Sequence, residues 1–199
     1  MGLPLKKVDY SQSTEEIGFI PIKENFVANC VVTDAYLYEL RNSIRCHLTL
    51  QVEDESSPYH QQLIFQELFV TFANGQQVRN GKVTADYSNL CRILQKDIAE
   101  LDQQSMLKQI WIDGVQTDAV VEELPDLVGA SNIFWIEAIR YNGRELFNGK
   151  WIPTEVEKWK QSIFYVGKEL PVEDGRIFLV GGYTDDWQDL RPYSKQVAA

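Results

Sequence analysis

The stretch from Ile44 to Glu53 constrains this chain more than any other. Ile44, Cys46, Leu48, Leu50 and Val52 alternate with Arg45, His47, Thr49, Gln51 and Glu53. A period of two puts the first set on one side of an extended backbone and the second on the other, which is the signature of a half-buried strand. Just before it, FVANCVVTDAYLYE (Phe26 to Glu39) is rich in β-branched and aromatic residues and has neither Gly nor Pro. The polar link Arg41-Asn42-Ser43 is short enough to make the two a hairpin. After a turn over Glu53–His60, a third apolar run from Gln62 to Phe72 is closed by Asn74-Gly75. Three consecutive antiparallel strands, a meander, follow from these patterns.

The period then changes. In SNLCRILQKDIAEL, Leu90, Ile93, Leu94, Ile98 and Leu101 recur at helical spacing behind Ser88, a residue type suited to an N-cap. This predicts a helix over 88–102. Residues 103–127 carry no decisive period. From Val128, SNIFWIEAIRYNGRELFNGKWIP is strand-like again, with Asn142-Gly143 as the expected turn between two strands. Near the end, GRIFLVGGYTDDW holds one short apolar strand, and EVEKWKQSIFYVG before it is undecided. The expected fold is mainly β (α+β): an oligonucleotide-binding (OB)-like five-stranded barrel, one helix between strands 3 and 4, and a C-terminal extension. The expected organisation is an arm over 1–25, the barrel domain over 26–150, and the extension over 151–199.

Of 199 residues, 44% are hydrophobic, enough for a core without disulfides or a structural metal. Acidic residues outnumber basic ones 29 to 19, for a formal charge of -10. That excludes a globally basic nucleic-acid binder but not a locally basic groove, because phosphates respond to the local field. The N-terminal MGLPLKKVDYSQSTEE lacks the apolar stretch of a secretory leader, Lys6 stands where a myristoylation signal wants Ser or Thr, and no run is long and apolar enough to span a membrane. Cys30, Cys46 and Cys91 are odd in number, widely spaced and set among apolar neighbours. The expectation is a reduced, cytoplasmic protein.

Enzyme signatures are missing. There is no Walker A loop, GxGxxG, GxSxG, HExxH or HxE with PCxxC. Gly181-Gly182 reads as an ordinary turn, His47 as a sheet residue on the polar face, Glu122-Glu123 and Asp185-Asp186 as surface, and Cys91 as a small buried hydrophobe. No catalytic residue, metal or cofactor is expected. Binding single strands needs rings on which bases stack and cations along the backbone track. Aromatic and basic residues interleave at Tyr36, Tyr38, Arg41 and Arg45 around the first hairpin, and at Arg140, Tyr141, Arg144, Phe147, Lys150 and Trp151 around the closing one. Arg79 and Lys82 flank a further Asn80-Gly81 turn. Tyr36 and Tyr38 share one strand face with Asp34, which suits a partly wet surface.

The run VVTDAYLYELRNSIRCHLTLQVEDE, the third strand ending in FANG, the helix YSNLCRILQKDIAEL and the closing LVGASNIFWIEAIRYNGRELFN together resemble phage-encoded single-stranded DNA-binding proteins with an OB fold. The likeness covers residues 26–150 and is carried by strand, turn and helix positions. It implies sequence-tolerant binding of single-stranded DNA in phage replication or recombination, in a groove taking Tyr36, Tyr38, Arg41, Arg45, Arg79, Lys82, Trp135, Tyr141 and Lys150. Replication or recombination proteins and a second copy of the chain are the further partners it suggests. The chain departs from many such proteins at its end, where RPYSKQVAA follows the acidic-aromatic YTDDWQDL instead of closing on it. The competing expectation is an acidic protein–protein module, a structural or host-inhibiting factor or a mimic of DNA charge, which would not bind nucleic acid.

Overall fold

The computed structural model describes residues 21–169, 172–173, 176–180 and 187–189. The expected meander forms: β1 (Phe26–Leu40), β2 (Ser43–Val52) and β3 (Leu63–Phe69) are antiparallel neighbours. The alternation of β2 decides its inner face, where Cys46, Leu48, Leu50 and Val52 are wholly buried. Helix α1 (Ala85–Leu94) is capped by Thr84, whose hydroxyl accepts the Tyr87 N–H, and ends at Gln95 in the left-handed region. It starts earlier and stops sooner than the period suggested, because Ser88 lies inside it. Ile98 and Leu101 reach the same core through a separate 3-10 turn, Ile98–Glu100. Tyr87, Leu90 and Ile93 of α1 pack into the core that β1 and β2 build.

The undecided stretch supplies two further strands, β4 (Gln104–Ile112) and β5 (Val115–Glu123), joined through Asp113-Gly114. Both turn residues have positive φ, as a two-residue hairpin turn of this hand requires. A second hairpin follows, β6 (Ser131–Phe147) with β7 (Lys150–Gly167). Its turn is Asn148-Gly149, not Asn142-Gly143. The earlier pair sits at a register irregularity inside the hairpin, and a Cβ on Gly143 would stand 2.9 Å from Thr154 Oγ1. Glycine is there for room, not for reversal.

The sheet therefore has seven strands, not five, in the order β3-β2-β1-β5-β4 with β6 also on β1 and β7 on β6. It is antiparallel, and among the described residues backbone pairing does not close it into a barrel. β3 and β7 face each other across the open seam, which Gln66 spans by donating its amide to the Gln161 carbonyl at 2.7 Å. The hairpin extends past the expected boundary at 150, and Ile163 of β7 lies in the main core. Of the arm, residues 1–20 lie outside the described residues, while Ile22 is buried in that core. In the extension, β8 (Val172–Glu173), β9 (Arg176–Val180) and β10 (Trp187–Asp189) form a separate small sheet, β10-β9-β8. Gly181-Gly182 and Asp185-Asp186 lie outside the described residues. No helix among them is long and apolar enough to cross a membrane.

Two outcomes follow. Gly75 (φ +83°) and Gly81 (φ +74°) share a backbone conformation that a Cβ disfavours by about 1–2 kcal/mol. At Gly75, however, an added Cβ would lie 2.6 Å from the Asn42 carbonyl oxygen, whereas Gly81 has open space. Gly75→Ala is therefore expected to lower the urea midpoint clearly more than Gly81→Ala does, and equal losses would remove the contact as the cause. The second concerns the Tyr87 hydroxyl, which donates to Asp97. Burial, then this bond, pushes the phenol up to about 12, and the same bond holds the Asp97 carboxyl below its ordinary 3.8. A depressed carboxylate favours the folded state above its ordinary value and loses that contribution as pH falls through the folded one. Tyr87→Phe should thus destabilise at neutral pH, with the gap to wild type closing below about pH 3.8; a gap independent of pH in urea titrations would contradict the linkage.

Candidate nucleic-acid interface

The outer face of the meander, opposite the core, is set by a bulge. Val32 pairs Leu50 and Asp34 pairs Thr49, so Thr33 is an extra residue in β1. An extra residue shifts every later side chain to the opposite face. Ala35 and Leu37 consequently turn inward, while Asp34, Tyr36 and Tyr38 turn outward. Register then builds cross-strand rows: Tyr38–Arg45–Phe69, Tyr36–His47–Glu67 and Asp34–Thr49–Phe65.

The shared face of Tyr36 and Tyr38 is as expected, but its wetness is not. The β4–β5 hairpin folds one of its sides over both rings, leaving them 5% and 6% exposed against Ile110 and Val121. Tyr36 stacks on the His47 ring, with centroids 4.7 Å apart and planes 14° from parallel, and carries the Lys108 ammonium 4.5 Å from its own centroid. Lys108 Nζ donates to both Asp34 oxygens at 2.9 Å and to Glu123 at 3.3 Å. Glu67 joins the rows, accepting the Tyr38 hydroxyl at 2.6 Å and standing 2.6 Å from His47 Nδ1. Burial above all, then the neighbouring carboxylates, holds both phenols well above their ordinary value. Tyr36 and Tyr38 are thus the seal between two layers, and no base can stack on them in this arrangement.

Trp135 is also removed from the interface: it is buried on β6 against Phe164 and Val27. Arg41 is exposed at the β1–β2 turn and ion-paired at 3.2 Å with Asp113, at the tip of the other hairpin. Arg79 and Lys82 bracket an exposed turn at Asn80-Gly81, between β3 and α1. Tyr141 is exposed midway along β6, opposite Lys158, with Lys160 Nζ 5.9 Å from its ring centroid. Lys150 is exposed at the far end of that hairpin. Of the residues singled out by sequence, only Arg45 remains on the outer face as an available cation. Its guanidinium lies over the Phe69 ring at 4.5 Å.

What the sequence reading missed is the outer face of β3. Ile64, Gln66 and Leu68 point inward, so Leu63, Phe65 and Phe69 are left outside, with Phe65 60% exposed. Beside Phe65 a groove of about 510 Å³ crosses the open seam, lined by Phe65, Glu67, Glu137, Ile139, Lys160, Ser162 and Phe164 among others. Its cation, Lys160, shares it with the carboxylates of Glu67 and Glu137. One cation against two carboxylates leaves the groove net negative, and its distinctive element is an exposed phenyl ring. Among the described residues, no group of three or more His, Cys, Asp or Glu side chains converges on a metal-sized space. Compared with family models, curated proteins and solved structures, the chain matches none of them.

If Tyr38 seals layers and does not meet ligand, its hydroxyl matters to folding alone. Tyr38→Phe is expected to cost about 1 kcal/mol in denaturant titration by depriving Glu67 of a donor. An unchanged denaturation midpoint would contradict the seal.

Proposed function

We propose that this chain binds single-stranded DNA, largely without regard to sequence, on the outer face of β2 and β3 and in the groove across the seam. The observation that carries this is the outward phenyl of Phe65, with the Lys160 side of the groove beside it and Phe69 with its Arg45 further along the same face, beyond Glu67. Exposed rings in a row with cations at their margins are what a base-stacking track requires.

The connectivity supports an OB-like reading of the fold. A meander is followed by a helix packed under it, and then by a hairpin. The first strand of that hairpin returns to β1, and its second faces β3 across the seam. The β4–β5 hairpin is then an insertion between helix and closing hairpin. In such barrels the ligand lies on the face of strands 2 and 3, between loops, which is where Phe65 and Arg45 stand. The setting in phage replication or recombination rests on the resemblance of residues 26–150 alone. The competing reading as an acidic interaction module draws on the charge of -10 and on the apolar side chains exposed along β4–β5.

The test is fluorescence anisotropy of labelled oligo-dT titrated with the protein at two salt concentrations, with duplex DNA and oligo-U as comparisons. Saturable binding that prefers the single strand is expected, and Phe65→Ala should weaken it roughly 5- to 100-fold, the loss of one stacked base. Lys160→Glu should weaken it and lower the log–log salt slope by about 0.7 per lost phosphate contact. Arg41→Glu, which breaks an existing ion pair away from the groove, should do less than Lys160→Glu. Absence of binding at low salt, or full affinity in a Phe65→Ala/Phe69→Ala double variant, would overturn the proposal.

A further inference from the structure

The seven-stranded sheet ends at β4, and among the described residues nothing pairs with its outer edge. Which groups that edge offers follows from the turn. Ile112 and Val115 close a two-residue hairpin and so exchange backbone bonds with each other. Alternation then turns the N–H and C=O of Trp111, Gln109, Leu107 and Ser105 away from β5. The side of this hairpin that does not cover Tyr36 and Tyr38 carries Leu107, Trp111 and, opposite Leu107, Val120. These are 70%, 66% and 67% exposed.

We infer that β4 is a dimerisation edge, and that the β4 of a second copy adds to it antiparallel across a two-fold axis at Gln109. This inference is independent of the DNA-binding proposal. Three observations select this occupant. First, natural edges are guarded by charges or proline, yet β4 has no proline and one charge, Lys108. That ammonium is drawn inward by Asp34 and Glu123 and does not guard the edge. Second, only certain self-pairings match outward backbone groups with outward backbone groups. The one centred on Lys108 would oppose two ammonium-bearing residues. Moving the axis to Gln109 keeps the phase, sets Lys108 opposite Ile110, and sets each exposed Leu107 opposite the exposed Trp111 of the other copy. Three two-bond pairs, at 107/111, 109/109 and 111/107, would form about six hydrogen bonds. Third, the carboxylate at the end of this register, Asp113, is already neutralised by Arg41. The carboxylate nearest the axis, Asp118, accepts the Gln109 amide and stands on β5, one strand in from where the copies would meet.

Light scattering behind size exclusion, on the full chain, should give twice the 22.9 kDa chain mass. Gln109→Pro removes an N–H that the hairpin itself does not use, and Trp111→Glu places a charge opposite the apolar Leu107 of the other copy. Each should shift the mass to that of one chain with the circular dichroism spectrum unchanged. Hydrogen exchange provides the second reading: the amides of Leu107, Gln109 and Trp111 should gain protection as protein concentration rises. A monomeric wild type with those amides unprotected would overturn the inference, as would protection independent of concentration, which means the chain covers its own edge. A dimer that survives both variants uses another surface and overturns it equally.

Discussion

Everything in this fold leans on β1, a 15-residue strand that must be satisfied along both edges. β2 takes one edge from Cys30 to Leu40. The other edge is shared in sequence: β6 pairs Phe26–Val31, the backbone of Gly129 and Ala130 bonds Val32, the Leu124 N–H reaches Ala35, and β5 pairs Tyr36 and Leu37. Buried backbone groups left unpaired are costly, so the two hairpins and the loop between them are fixed relative to one another by a single strand. Leu124 and Leu127, in that loop, are wholly buried as a result.

The bulge at Thr33 gives this strand two different outer halves. Before it, Val27 faces outward and meets Trp135 and Phe164 of the β6–β7 hairpin. After it, Tyr36 and Tyr38 face outward and must be covered by something. The β4–β5 hairpin is that cover, and the polar contacts beneath it, Lys108 to Asp34 and Glu123 and Glu67 to Tyr38, satisfy groups that the covering desolvates. One inserted residue thus accounts for a second small core and for the loss of two rings from any ligand surface.

What was legible in the sequence tracks how one-sided the chemistry is. β2 alternates apolar with polar, and its buried face could be named residue by residue. β3 is apolar in both phases, since Ile64 and Leu68 are matched by Leu63, Phe65 and Phe69, so alternation alone could not say which rings stay outside. β4 has the same ambiguity, with Ile110 buried and Leu107 and Trp111 exposed on the other phase. Asn-Gly was read as a turn at 142–143 although a second Asn-Gly at 148–149 makes the reversal. Local propensity favours both equally; at 148–149 both residues take the positive φ of the turn, while 142–143 sit at a register irregularity inside the hairpin. The fate of Tyr36 and Tyr38 was outside local reasoning altogether: period two gives a shared face, but whether that face is wet depends on a hairpin distant in sequence.

The same distinction bears on how an acidic chain could hold a polyanion. Here the cations near the outer face are not scattered for solvation. Arg45 is laid over Phe69 and Lys160 is directed toward Tyr141, while Lys108 is consumed by carboxylates. A cation fixed against a ring offers its charge at the margin of an apolar platform, where a backbone phosphate lies when its base stacks on that platform. Glu67 and Glu137 beside the groove work against any ligand held by charge alone, and weigh least on one whose bases supply most of the contact. In the proposed complex the rings set the affinity and the cations beside them the register of the strand, so the formal charge of -10 does not by itself argue against a single-strand track.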